Sequence, residues 1–166
     1  MIFQDKIAAD TNRKVGILSL TERNDDILMW SHYADEHKGI CIEFRTDIDS
    51  SFFVKAEPVA YSKKYPQLNL LEVVTNEKIR AAAPWMLTKS VHWKYEREWR
   101  VLDFVAGRGI RTFPAECLSG VYFGCRTPPD EKETVMAWVS AMPHSVAVYQ
   151  ATESPAHFRL DIERIQ

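Results

Sequence analysis

Apolar residues in this chain come in short runs of strand length, broken by polar, glycine- or proline-bearing turns, and helical spacing is confined to a few stretches between them. That pattern constrains the fold more than any other property. Val15-Gly16-Ile17-Leu18-Ser19-Leu20, Ile40–Phe44, Phe53–Tyr61 and Glu98–Val105 read as strands. Asn24 or Asp25 is expected to cap a helix carrying Trp30 and Tyr33. Lys38-Gly39 would end it, the glycine supplying a positive φ. Pro66–Ala83 has helical spacing, Pro84 interrupts it, and Trp85–Ser90 is expected to add a helical turn. Gly107-Arg108-Gly109 leading into Ile110–Phe113 signals a hairpin. The last third reads strand, helix, strand, strand. Its helix starts at Thr127-Pro128-Pro129-Asp130, with a capping residue, a proline and acids in the first turn, and stops near Pro143.

The order predicts an α+β fold, a mainly antiparallel twisted sheet with helices packed against it. The 166 residues suffice for one domain, with residues 1–12 as a lead-in, and no repeat or Pro/Gly linker divides them. The formal net charge of −2 argues against a protein held on nucleic acid by phosphate contacts. A nucleic-acid role through Lys63-Lys64 and the aromatics is therefore not expected. Cys41, Cys117 and Cys125 match no zinc spacing, so no metal is expected and three thiols in a reducing compartment are. No apolar stretch follows a basic start and no run is long enough to cross a bilayer, which predicts a cytoplasmic protein without a membrane partner. The glycines form no phosphate-binding loop, and there is no G-x-S-x-G elbow or H-E-x-x-H helix.

Two segments carry candidate chemistry. On a helix over Asp26–His37, Trp30, Tyr33 and His37 share one stripe, able to stack on a planar ring or to fill a core. In Trp93-Lys94-Tyr95-Glu96-Arg97-Glu98-Trp99-Arg100, an extended backbone puts Glu96, Glu98 and Arg100 on one face, the two acids about 7 Å apart. Paired carboxylates in a poorly solvated cleft repel. One pKa should rise, as general-base work requires, unless Arg100 or Lys89 neutralises the pair. The alternative is a Glu98–Arg100 ion pair on a solvated edge. Ser19 and Thr21 lie at a strand end where hydroxyls can meet a ligand, and His92 and His144 beside turns are expected to face solvent.

Ile17–Glu22, Asp26–Ala34 and His37–Phe44, followed by Lys89 and a W-x-Y-E-x-E-W-R run over Trp93–Arg100, resemble a bacterial and phage family known as domain of unknown function 2971. That family name implies no reaction. Its members carry an upstream N-D-P-F run that this chain lacks, which suggests a shortened relative. A looser resemblance is to the arginine-directed ADP-ribosyltransferases, through Ser19-Leu20-Thr21 and Glu96-Arg97-Glu98, with Arg13 the nearest basic residue for their first element. It implies NAD as substrate, Glu98 on the ribose hydroxyl, Glu96 orienting the acceptor and Trp30 or Tyr33 stacked on nicotinamide. Lys89 and Arg100 complete the expected binding residues, and phage–host conflict is the expected setting. A non-catalytic protein-binding module, an inhibitor or accessory subunit, is the alternative. The protein partner and oligomeric state are left open.

Overall fold

The computed structural model describes residues 15–48, 53–67 and 82–166. They form an α+β fold in which antiparallel strand pairs predominate, arranged in three sheets rather than one. The described residues gather into two compact units. One takes 15–22, 53–67 and 82–112, the other 23–48 and 113–166.

In the first unit, β6 (Glu98–Asp103) lies between β1 (Gly16–Thr21) and β3 (Ala56–Pro58), antiparallel to both. The expected strand Phe53–Tyr61 is broken. Phe53–Lys55 form a 3₁₀ turn, β3 follows, and β4 (Ala60–Ser62) departs to pair in parallel with β5 (Thr88–Ser90). Val59, between the two, donates its N–H to the Glu98 carbonyl at 2.9 Å. The short helix α2 (Ala83–Met86) keeps Pro84 in its first turn, where a missing N–H is harmless. Thr88–Ser90, expected to be helical, is therefore strand. Val15, Ala82, Met86 and Leu102 form the core of this unit. Gly16 opens β1 because a Cβ there would stand 2.2 Å from the Gly107 carbonyl oxygen. Past β6 the chain does not form the expected hairpin. Asp103 accepts from the amides of Val105 and Ala106 and from Arg111, closing a loop in place of a strand over Ile110–Phe113.

The second unit is a sheet in the order β2 (Ile40–Phe44), β7 (Leu118–Phe123), β8 (Ala147–Glu153), β9 (Leu160–Arg164). β7 and β8 run parallel, and α3 (Pro129–Ser140) makes the crossover that a parallel pair requires. Alternation sends Val121, Phe123 and Val148 against Val139 of α3. Tyr122 and Ala151 point to the other face, against Trp30 and Ala34. Pro129, Asp130 and Glu131 stand in the first turn of α3 as expected, but no side chain caps it. Thr127 instead donates to the carbonyls of Gly39 and Gly124.

The helix carrying Trp30, α1 (Ile27–Tyr33), differs from expectation at both ends. Its cap is Asp26, whose carboxylate accepts from the amides of Leu28 and Met29 at 3.0 and 3.2 Å. Asn24 and Asp25 use their carbonyls, accepting from the Trp30 indole and the Leu160 amide. The helix stops after Tyr33, and Asp35, Glu36 and His37 take φ of 44°, 53° and 71°. The left-handed turn thus falls on three non-glycine residues. Gly39 serves for close approach, since a Cβ there would lie 3.2 Å from the Ala34 backbone.

Most of the Pro66–Ala83 helical expectation, and Arg13, lie outside the described residues. Cys117 is buried, Cys41 and Cys125 are half-buried, and none of the three forms a disulfide. No helix among the described residues is long and apolar enough to cross a membrane.

Candidate functional site

Val91–Glu96 is not strand but a 3₁₀ turn, started by Ser90, whose hydroxyl accepts from the His92 amide. Arg97 then adopts φ 44°, ψ 50°, and β6 begins at Glu98. A left-handed residue between the two acids overturns the extended-backbone geometry expected for them. They converge none the less, because both reach the ammonium of Lys89 on β5. Glu96 Oε2 accepts from Lys89 Nζ, and Glu98 Oε2 accepts from it at 3.1 Å.

Arg100, two residues along β6, closes the other side. Its Nε donates to Glu98 Oε1 at 2.7 Å and its Nη2 to Oε2 at 2.9 Å, the two-pronged geometry a guanidinium favours. Its remaining prong donates to the Met86 carbonyl. Two acids thus face two bases. The Glu96 and Glu98 side chains are only 2% and 7% exposed, against 20% for Lys89 and 17% for Arg100. Trp93 lies 4.9 Å beneath the Lys89 ammonium, a cation–π contact.

Backbone partners lock the frame. The Thr21 hydroxyl donates to the Glu96 carbonyl at 2.6 Å, and the Glu98 amide donates to the Tyr61 hydroxyl at 2.8 Å. The β1–β6 register places Thr21 opposite Glu98 and Ser19 opposite Arg100. Trp99 projects to the other face and donates its indole N–H to Glu22.

The electrostatics follow from these contacts. Burial alone would push Glu98 up. Hydrogen bonds from Arg100, Ser19 and Lys89, with the Arg100 charge, outweigh it and hold the carboxyl below the usual range. Burial likewise works to lower Lys89, but hydrogen bonds and charges from Glu96 and Glu98 prevail and raise it. Glu98 is a fully engaged carboxyl whose pKa is lowered, not raised toward neutrality.

Ser19, Thr21, Lys89, Glu96, Glu98 and Arg100 therefore come together in the first unit. Trp30 and Tyr33 belong to the second unit, one ring buried and the other exposed. Trp30 is 3% exposed, with its indole bonded to Asn24 and its ring inside the core, so it has no open face for a nicotinamide. Tyr33 is 62% exposed and His37 lies beyond the helix. His92 is exposed, but His144 is not solvent-facing: its Nε2 meets the Leu118 carbonyl at 2.8 Å and its Nδ1 is buried. The expected residues omit Tyr61 and the Met86 carbonyl. Tyr61 ends an apolar run with a half-buried hydroxyl, which is a readable signal; a backbone carbonyl leaves none. Among the described residues, no group of three or more His, Cys, Asp or Glu is placed to hold a metal ion.

Residues 29–101 match the model of a family described as protein of unknown function (DUF2971), to which this part of the chain is similar. No curated protein and no solved structure matches the chain, so the resemblance to ADP-ribosyltransferases gains no support from known relatives.

Proposed function

We propose that this chain acts as a protein-binding module, in which the Lys89–Glu96–Glu98–Arg100 cluster is a structural ion network rather than a catalytic centre. One observation carries the reading: both carboxylates are buried and answered by two bases, with the pKa of Glu98 depressed. A general base needs a lone pair directed at its substrate and an affinity for protons near the working pH. Glu98 has neither. Its buried charges instead fix the junction of β5, β6 and the 3₁₀ turn. Exposed rings such as Tyr33 on α1 and Trp138 on α3 are of the type that anchors protein interfaces. An inhibitor or accessory subunit in phage–host conflict would work in this way.

The test is a pull-down from host lysate with the full chain and with Glu98→Gln. Recovery of the same stoichiometric partner by both, at an unchanged ratio, is expected. A chain that stays monomeric and recovers no partner would overturn the reading.

The second reading, an NAD-using ADP-ribosyltransferase-like enzyme, is favoured by the register. Ser19 and Thr21 lie on the strand adjacent to Glu98, and Ser19 bonds its carboxylate. Incubation with labelled NAD and candidate targets decides it: turnover lost in Glu98→Gln supports a transferase, and no turnover by either protein removes it.

A further inference from the structure

The outer face of the same turn carries a different chemistry. Glu96 is directed inward to Lys89, so the cations Lys94 and Arg97 stay on the surface of the turn, beside exposed His92. β4 and β5 are parallel, with Tyr61 opposite Lys89 and Ser62 opposite Ser90. The chain therefore leaves both strands at the same end of this small sheet. After Ser62 come exposed Lys63 and Lys64, and after Ser90 comes the 3₁₀ turn, which packs on β4 and β5. Topology thus brings Lys63-Lys64 and the start of the turn that carries Lys94 and Arg97, distant in sequence, to one sheet end within a chain whose net charge is −2. Beside them Tyr65 is 93% exposed, its ring open to solvent.

We infer that this sheet end binds single-stranded nucleic acid, Lys63, Lys64, Lys94 and Arg97 meeting phosphates and Tyr65 stacking on a base. A cationic surface alone would equally suit an acidic protein segment. The open phenol ring decides between them, because every base offers a π-face to an exposed aromatic, whereas an acidic side chain gains little from one. The balanced overall charge does not oppose the reading, since the strand meets the local potential of the patch. This site is independent of the protein-binding reading: it involves neither Tyr33 nor Trp138.

The experiment is fluorescence anisotropy of a labelled short oligothymidylate with the full chain across a salt series. Binding at low salt is expected, with log affinity falling against log salt by roughly 0.7 for each cation engaged. Lys63→Gln with Lys64→Gln should weaken binding by about tenfold or more and flatten the slope by roughly 1.4. Tyr65→Ala should weaken it by about tenfold with the slope unchanged. Arg97→Asn removes the charge with a residue that tolerates the left-handed backbone, and should flatten the slope again. These side chains are exposed, so the variants should keep the wild-type circular dichroism spectrum. Absence of binding by the wild-type chain, variants that bind as it does, or tighter capture of a labelled polyglutamate peptide than of the oligonucleotide would each overturn the inference.

Discussion

Lys89 and Glu98 meet at 3.1 Å across nine residues of chain, and the same ammonium also holds Glu96. One cation thus joins the start of β6 to the turn before it, with Arg100 as the counterweight on Glu98. Removing one member unbalances these buried charges, which is more damaging than replacing the whole set by apolar groups.

Glu98→Gln should accordingly destabilise the protein by roughly 2–4 kcal/mol, somewhat under the range for a fully buried pair because Arg100 and Lys89 retain partial solvent access. Urea unfolding measures it. A change within about 0.5 kcal/mol, the range of ordinary surface substitutions, would show the cluster to be energetically idle.

The pH dependence has a definite sign at each end. Glu98 is held below its ordinary value, so its stabilisation is complete above the unfolded carboxyl pKa of about 4.3 and is lost as pH falls through the folded value. Lys89 is raised, so its contribution is complete below about 10.4 and is lost as pH rises through its folded value. Unfolding free energies across acid pH should fall less steeply in Glu98→Gln than in wild type. Parallel curves would contradict the assignment.

Arg97 holds a positive φ without being glycine or asparagine. Arg97→Gly should be close to neutral, relief of strain offsetting the added freedom of the unfolded chain. Arg97→Val should cost about 2 kcal/mol or more, because a β-branched side chain fits this backbone region worst. The difference between the two urea midpoints is the readout.

Trp30 and Tyr33 separate cleanly. Trp30→Ala should cost about 3–5 kcal/mol, since it empties a core position and orphans the Asn24 carbonyl. Tyr33→Ala, with its ring largely in solvent, should change stability by less than about 0.5 kcal/mol. Thermal melts of the two variants suffice.

Gly124→Ala should be the most severe small substitution in the second unit. Its Cβ would stand 2.0 Å from the His37 carbonyl oxygen, a backbone atom held in place by the Arg126 amide. A loss of several kcal/mol, or failure to fold, is expected on purification and melting.

Where a sequence signal and a backbone state share one cause, the signal was readable. The apolar runs at Val15–Leu20 and Glu98–Val105 became strands β1 and β6, and Pro129 with its acids began α3. The meeting of Glu96, Glu98, Lys89 and Arg100 was foreseeable as charge neutralisation, but the path to it was not. Left-handed backbone at Arg97 and at Asp35–His37 falls on residues whose own preferences do not ask for it, so tertiary hydrogen bonds, not local propensity, decide those turns. The same holds for Trp30. Its spacing with Tyr33 suggests a common face, yet burial under the sheet took one ring and left the other outside.

The two units are threaded through each other in sequence. The chain leaves the first after Glu22, is back in it by Phe53 and leaves again after Thr112. No single cut therefore releases either one whole. A fragment ending at residue 101, where the family match stops, would keep β2 and lose the three strands that complete its sheet. A boundary drawn inside β1 to β9 removes part of at least one unit. Dissecting this protein calls for point substitutions in the full chain.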